Sequence, residues 1–255
     1  TLYINFSSGA AYGTDFSVPV DESTYSKWDI NHITKADYYG IAKLNSEAKH
    51  RALKDLNIVD LRVFGYFSRF IDLKSRFLLT EIISCTKDGK EFITGPDNII
   101  RDYVHPKDLF ELLYKCIERH RLNDVFDVYS LKPVSKFEII EYFQKEYGLK
   151  YIINNGFASS SATGSKENYY SISKRAGKIS YAPQFTSLDS IVQETVAIPE
   201  EDTTRSVMQT LKDFEYSTDE MYNGMIAMNN DIGKAINQAL YDFRDENYRF
   251  SKNAQ

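Results

Sequence analysis

The chain has 255 residues and a formal net charge of −5, and 42% of its residues are hydrophobic and 26% charged. This composition is ordinary for a globular protein, and a chain of this length buries roughly 70–75% of its unfolded surface. The sequence has no block of basic residues, which argues against binding nucleic acid through its phosphates. It also has no apolar run near the ~20 residues that a membrane-spanning helix needs.

The first segment of the chain ends in a serine turn. Residues 2–13 predict a short buried strand that runs into a turn of small residues. Ser8, with Ser7 before it, then lies at the carboxyl end of the strand, where open α/β sheets bind their ligands. The alternative is that both are ordinary turn hydroxyls. Residues 14–34 are polar and irregular, and we interpret them as a loop of the kind that covers an active site.

A helix predicted over residues 35–56 carries a tyrosine and a lysine four residues apart, Tyr39 and Lys43, which share one face. Lowering the pKa of a phenol from ~10 to ~7 takes roughly 4 kcal/mol. A cation at ~4 Å supplies about that much in a half-buried site, so the phenol becomes a usable acid or base. With 19 tyrosines in the chain, this spacing also arises by chance. The predicted apolar face comprises Ile41, Leu44, Ala48, Ala52 and Leu56.

The chain up to residue 196 continues with strands and helices. We predict a strand over 59–65, a helix near 76–85 before a turn at Asp88-Gly89, a helix over 106–121, a strand over 125–129, a helix from Lys136 to Tyr147, a mobile loop over 157–166 and a last helix over 187–196. The helix over 106–121 has an apolar face of Leu109, Leu112, Leu113, Cys116 and Ile117. Ser135 and Glu138 form a capping box, and Gly148 ends the helix that they open.

The remaining residues, 199–255, predict a helical extension. A linker around 198–202 precedes a long helix that Ser217 to Glu220 would cap. Six apolar residues of this helix have heptad spacing: Met221, Met225, Met228, Ile232, Ala235 and Ala239. This stripe packs either on the body of the chain or on a partner helix.

Cysteine and histidine usage indicates neither disulfides nor a metal site. Cys85 and Cys116 lie in separate apolar segments and are expected to be free thiols in a reducing cytoplasm. The four histidines have no metal-ligand spacing, so we expect no metal.

Three motifs in this order resemble the extended short-chain dehydrogenase/reductase family, the nucleotide-sugar epimerases, dehydratases and reductases. They are the Ser7-Ser8 turn, Tyr39-x-x-x-Lys43 and Arg101-Asp102-Tyr103-Val104-His105, and the resemblance covers roughly residues 1–195. It implies an α/β fold, the C-terminal part of a Rossmann-type parallel sheet with a small α/β substrate domain. The implied division is 1–66 and 100–131 for the Rossmann-like part, 67–99 and 132–198 for the substrate-binding part, and 199–255 for the helical extension.

The resemblance has a gap at its beginning. The family begins with a strand, a glycine-rich turn and a helix that bind the cofactor pyrophosphate, whereas this sequence has no G-x-G-x-x-G. It opens on what resembles the family's fifth strand. We therefore expect the cofactor-binding half to be absent, and this chain alone to bind NAD(H) or NADP(H) very weakly.

The resemblance assigns roles to individual residues. Tyr39 matches the proton donor or acceptor at a sugar hydroxyl or carbonyl, and Lys43 matches the lysine that lowers its pKa and bonds the nicotinamide ribose. Ser8 matches the serine that bonds the reacting oxygen, with Ser7 as the second choice. Arg101 matches an arginine on the substrate diphosphate. Two more residues complete the predicted site: Tyr103 for substrate and Phe64 for cofactor.

Some of these roles have an alternative, and at two positions the sequence departs from the family's pattern. Arg101 could instead pair with Asp102 or Asp108. Where many relatives read L-R-x-F-N, this chain has Gly65 in place of the asparagine. That substitution argues against a plain hexose 4-epimerase. No glutamate adjoins Ser8, so dehydration is a weaker hypothesis than keto reduction or epimerisation.

The sequence therefore supports two hypotheses. The first is an NAD- or NADP-dependent oxidoreductase or epimerase of surface-polysaccharide synthesis, present as its catalytic and substrate-binding part. The alternative is a non-catalytic subunit that binds a sugar nucleotide or serves assembly. Under both hypotheses the chain binds a nucleotide-diphosphate sugar. It also forms a homo-oligomer or associates with a missing N-terminal half, and it binds neither nucleic acid nor a membrane.

Overall fold

A computed structural model describes residues 1–75, 77–119, 121–156 and 166–198. Residues 157–165 of the predicted mobile loop, most of the predicted linker and the helical extension with its heptad stripe lie outside the described residues. The described helices are α1 Tyr38–Ala52, α2 Leu78–Asp88, α3 Pro106–Ile117, α4 Lys136–Tyr147 and α5 Ser187–Val196. The strands are β1 Tyr3–Ser8, β2 Ile58–Val63, β3 Glu91–Thr94, β4 Ile100–Arg101, β5 Asn123–Asp127, β6 Val134–Ser135, β7 Lys150–Ile153 and β8 Asn168–Tyr169.

The central sheet is parallel and has the strand order β1-β2-β5. Its register pairs Ser8 with Val63 and Arg62 with Asp127, so the carboxyl ends of all three strands meet at one edge. Helix α1 connects β1 to β2 and α3 precedes β5, as parallel pairing requires long connections. The predicted α/β class with a Rossmann-type parallel sheet is confirmed.

Two smaller sheets lie outside the central one. Strands β3 and β7 pair in parallel, and β4 lies between β6 and β8. One apolar core contains β2, β5 and α3, with Val59, Leu61, Leu112 and Phe126 fully or almost fully buried. A second core joins α2, α4 and α5. Residues 1–198 form one compact unit, and their division into a Rossmann-like and a substrate-binding part stays a prediction.

Local capping signals are confirmed in the structure. The Ser135 hydroxyl accepts from the Glu138 amide at 3.2 Å, and the Glu138 carboxylate accepts from the Ser135 amide at 2.8 Å. Gly148 ends α4 with φ of 69°, in the left-handed region that glycine adopts without strain. His105 caps α3 by accepting from the Lys107 amide. Within the described residues, no helix has the length and apolar character of a membrane span.

The predicted apolar face of α1 is wrong. The helix ends at Ala52, and Leu56 is exposed beyond it, while the residues that α1 buries are Gly40 and Glu47. The reason is that α1 meets the rest of the protein through a close backbone approach and an ion pair rather than through aliphatic side chains. On α3 the prediction for Ile117 is also wrong, because this last residue of the helix is exposed.

Candidate active site

The turn after β1 holds Ser8 in a buried position. The chain leaves the strand in a short 3-10 helix, Gly9–Tyr12, and the Ala10 amide donates to the Ser8 hydroxyl at 3.2 Å. Gly9 lies against the ring of Phe64, where a Cβ would come within 2.4 Å of ring carbons. Phe64, a residue predicted for the cofactor, therefore packs against the serine turn. Its ring leaves no space for a side chain at position 9.

Helix α1 presents the tyrosine and the lysine at the edge of β1. The Lys43 ammonium donates to the Phe6 carbonyl at 2.8 Å and lies 5.5 Å from the centre of the Tyr39 ring. Tyr39 is 58% exposed, which leaves its side chain accessible to a ligand. Among the described residues, Lys43 uses one of its three donors on Phe6, which leaves two for a ligand.

Gly40 sets the distance between α1 and the serine turn. A Cβ at this position would lie 2.5 Å from the Ala10 carbonyl oxygen and 2.6 Å from the Trp28 ring. The helix can therefore approach the turn this closely only because residue 40 is glycine, and the approach places Tyr39 next to the Ser8 turn.

Substituting Gly40→Ala is expected to destabilise the protein. Overpacking costs about 1–3 kcal/mol, which exceeds the roughly 0.5–1 kcal/mol that alanine contributes within a helix. Denaturant unfolding measures the change. Gly177→Ala is the matched control, because a Cβ there meets no atom within 4 Å. If Gly40→Ala is as stable as the control variant, the close approach does not constrain the helix.

A cavity of about 210 Å³ meets the serine turn at Phe64, which lines the cavity and also contacts Gly9. Its lining includes Phe64 and Phe67 from the end of β2, Phe77 before α2, and three residues from the β4–β8 region: Arg101, Tyr103 and Tyr169. Aromatic rings thus form much of the wall, and one guanidinium supplies positive charge.

Arg101 is a buried cation that neither predicted carboxylate neutralises. It is only 5% exposed, and its Nη1 donates to the carbonyl oxygens of Ile100 at 2.9 Å and Lys166 at 2.7 Å. Its Nη2 has no partner within residues 1–75, 77–119, 121–156 and 166–198. Burial lowers the pKa of Arg101. An anion in the cavity would offset this cost.

The two carboxylates that were alternatives for Arg101 have other partners. Asp102 accepts from the Ser130 amide and from the Ser187 hydroxyl at 2.9 Å. Asp108 accepts from the backbone amides of residues 184 and 185, at 3.0 and 3.1 Å. Both carboxylates therefore bind backbone amides of other segments. The alternative prediction, that Arg101 pairs with Asp102 or Asp108, is wrong.

A comparison with sequence families assigns the chain. Residues 1–132, just over half of the 255, match the sequence model described as "NAD dependent epimerase/dehydratase family". The chain belongs to this family. The predicted resemblance to extended short-chain dehydrogenases/reductases is confirmed, and a search of curated proteins finds no match.

Solved structures of epimerases and a dehydratase share the fold. A UDP-N-acetylglucosamine 4-epimerase from Methanobrevibacter ruminantium M1 has a TM-score of 0.61 at 21% identity, over 76% of this chain and 61% of that one. A UDP-glucuronic acid 4-epimerase from Bacillus cereus, in complex with UDP-glucuronic acid and NAD, has 0.61 at 19%, over 76% and 60%. A dTDP-glucose 4,6-dehydratase from Bacillus anthracis, in complex with NAD, has 0.59 at 13%, over 76% and 60%. The chain spans about three fifths of the length of these structures.

The glycine at position 65, a departure from the family pattern, has a structural cause here. A Cβ on Gly65 would lie 2.4 Å from the Asp102 carbonyl oxygen, and the Val104 amide donates to the Gly65 carbonyl at 3.2 Å. An asparagine would push β2 away from the segment that carries Arg101. Tyr103 is held in the same segment, with its amide donating to Ser187 at 2.8 Å, and burial raises the pKa of its phenol to about 12.

Sequence reasoning missed a buried ionic network beneath the serine turn. Glu47 on α1 accepts from the Ser7 hydroxyl and forms a two-pronged ion pair with Arg62 on β2, with Nε–O distances of 3.0 and 3.1 Å. Burial opposes the charge on Arg62, yet the hydrogen bonds and charge of Glu47 raise its pKa. The available signal was spacing, because Glu47 follows Lys43 by one helical turn, as Lys43 follows Tyr39.

The network continues to the far end of the turn. The Arg62 guanidinium lies 4.2 Å from the centre of the Tyr12 ring, and the Tyr12 hydroxyl donates to Asp127 at 2.9 Å. Ser171 also donates to Asp127, at 2.6 Å. Burial raises the pKa values of Tyr12 and Asp127. Both ends of the serine turn, residues 7 and 12, are thus connected to Arg62.

Proposed function

We propose that this chain is the catalytic and substrate-binding part of an NAD- or NADP-dependent oxidoreductase or epimerase that acts on a nucleotide-diphosphate sugar. The observation that carries the proposal is one arrangement. Ser8, Tyr39 and Lys43 lie near the carboxyl end of β1, and Tyr169, whose hydroxyl is 3.0 Å from that of Ser8, lines a cavity with a buried arginine that has no carboxylate partner among the described residues. A structural relative has been solved with UDP-glucuronic acid and NAD bound, which supports the same class.

The cavity suits the nucleotide end of such a substrate. Arg101 offers the guanidinium nitrogen that has no described partner, and a diphosphate oxygen is the acceptor that a guanidinium prefers. Phe77 and Tyr103 line the cavity and offer aromatic surface against which a planar base can pack. Lys166 adds a second cation close to Arg101, and burial together with that arginine lowers its pKa to about 8.

Ser8 and Tyr39 suit the reacting end. A serine hydroxyl donates a hydrogen bond to a sugar oxygen, and an exposed phenol beside an ammonium takes or gives the proton of that oxygen. The hydrogen bond to the Phe6 carbonyl holds Lys43 in position, and its other two donors have no partner in the part of the chain that the structure describes. These three side chains therefore bind, orient and exchange a proton with a hydroxyl or carbonyl group of the sugar.

The residues present fit one end of a nicotinamide cofactor. The free donors of Lys43 and the exposed Tyr39 hydroxyl match the hydroxyls of the nicotinamide ribose. When bound, the cofactor supplies or removes the hydride. For the pyrophosphate, the 255 residues contain no G-x-G-x-x-G turn.

The buried Arg101 and the aromatic cavity also suit a second candidate, a non-catalytic subunit that binds a sugar nucleotide. We place both candidates in the cytoplasm, with surface-polysaccharide synthesis as the process for the first.

Binding of UDP to the chain tests the substrate end. We expect Arg101→Met to weaken UDP binding about 10- to 100-fold, because a hydrogen bond to a charged group is lost, and to leave uridine binding within about twofold. Isothermal titration calorimetry measures both ligands. Arg119→Met, at an exposed position of the chain, is the matched control. Equal affinities of the unmodified chain for UDP and uridine would count against a diphosphate at Arg101, provided that both bind.

A further inference from the structure

Tyr169 lies between the two ends of the proposed site. Its hydroxyl is 3.0 Å from the Ser8 hydroxyl, although 161 residues separate the two in sequence. Its backbone is the register partner of Arg101 in the β4–β8 pair, and its ring lines the cavity. One side chain therefore touches the proposed reactive serine and belongs to the strand pair that holds the proposed diphosphate-binding arginine.

The tyrosine ring is fixed on several sides. Phe16 meets it edge to face at 4.7 Å between ring centres, and Phe64 lies at 5.2 Å. The Lys166 ammonium lies 4.3 Å from the ring centre. Burial raises the pKa of Tyr169, while the hydrogen bond with Ser8 acts in the opposite direction. The phenol therefore keeps its proton at neutral pH and can donate it.

The hydrogen bonds made to Ser8 limit what its own proton can do. A serine hydroxyl has one donor and two acceptor lone pairs. The Ala10 amide occupies one lone pair, and the Tyr169 hydroxyl, 3.0 Å away, occupies the other when it donates to Ser8 rather than accepting from it. In that arrangement the Ser8 hydroxyl has no free lone pair and can act only as a donor.

We propose that Tyr169 is a positioning residue that makes Ser8 an obligate hydrogen-bond donor to the reacting oxygen of the substrate. Without it, the Ser8 hydroxyl can accept from the substrate as readily as donate to it. The inference rests on the proposed function, which identifies that oxygen as part of a sugar. It adds Tyr169, from strand β8, to the site formed by Ser8, Tyr39 and Lys43.

The hydrogen bond itself can be tested in the 255-residue chain without cofactor or turnover. With tyrosines labelled at ring carbon ζ, the Tyr169 resonance is the one missing from the spectrum of Tyr169→Phe. We expect this resonance to move in Ser8→Ala and to stay in place in Ser46→Ala, whose hydroxyl bonds the Ala42 carbonyl instead. The Tyr170 resonance serves as an internal reference. A Tyr169 resonance unchanged by Ser8→Ala would overturn the proposal.

The role requires kinetics in the full-length, cofactor-loaded protein. We expect Tyr169→Phe to lower kcat about 10-fold with KM changed less than about twofold, as loss of a neutral hydrogen bond made to a group acting in the transition state predicts. In a Ser8→Ala background the same substitution should have no further effect. A kcat loss that persists in that background would overturn the proposal, because Tyr169 would then act independently of Ser8. Full turnover of Tyr39→Phe would instead refute the proposed function, and the inference with it.

Discussion

Replacing Tyr39 with phenylalanine is expected to lower the turnover of the cofactor-loaded protein by about 10²–10⁴-fold, the contribution of a general acid or base. The substitution removes one oxygen from a side chain that is 58% exposed, so folding should be unaffected. Because the phenol acts mainly in the transition state, affinity for the sugar nucleotide should change much less than turnover. Steady-state kinetics and calorimetry with the same preparation measure the two quantities.

The adjacent tyrosine provides the control for this experiment. Tyr38 is likewise exposed and begins the same helix, but the fourth following residue is Ala42 rather than a lysine. Tyr38→Phe should therefore keep full activity. Full turnover in Tyr39→Phe would end the catalytic assignment and favour the non-catalytic, sugar-nucleotide-binding subunit. Equal losses in both variants would indicate a general effect on the start of α1.

Elements with local signals could be predicted from the sequence. Helix α4 is the clearest case, because Ser135, Glu138 and Gly148 act within a few residues of the helix ends. The strand and turn around Ser8 and the helix with Tyr39 and Lys43 were predicted for similar reasons. Family resemblance then supplied the roles, which neither composition nor periodicity specifies.

Features that depend on distant contacts were not predicted. Strands β4, β6 and β8 have two residues each, too few to show a period, and β3 pairs with β7 across 50 to 60 residues. The Tyr169–Ser8 contact depends on that kind of pairing. The predicted apolar face of α1 also left out Glu47, because a charged residue is usually exposed. Its burial follows from a partner, Arg62, on another element.

The site therefore depends on the ion pair between Glu47 and Arg62, which the sequence pattern of α1 does not indicate. Glu47 is 3% exposed, and it bonds the residue before the proposed reactive serine as well as Arg62. Since Arg62 also contacts Tyr12 at the other end of the turn, the charge of Glu47 stabilises the whole segment from Ser7 to Tyr12.

Removing this carboxylate is expected to cost more stability than any other single change proposed above. Glu47→Ala leaves a buried guanidinium without its partner, and such losses cost about 3–5 kcal/mol. Glu47→Gln keeps an acceptor for Ser7 and should lose less. Chemical denaturation monitored by circular dichroism measures the free energy of unfolding. Glu111→Ala on α3 is the control, because its pair with Lys115 is exposed and contributes at most about 1 kcal/mol. If the Glu47→Ala chain is as stable as the Glu111→Ala chain, another group neutralises the charge of Arg62. Glu47 would then not be what stabilises the segment from Ser7 to Tyr12.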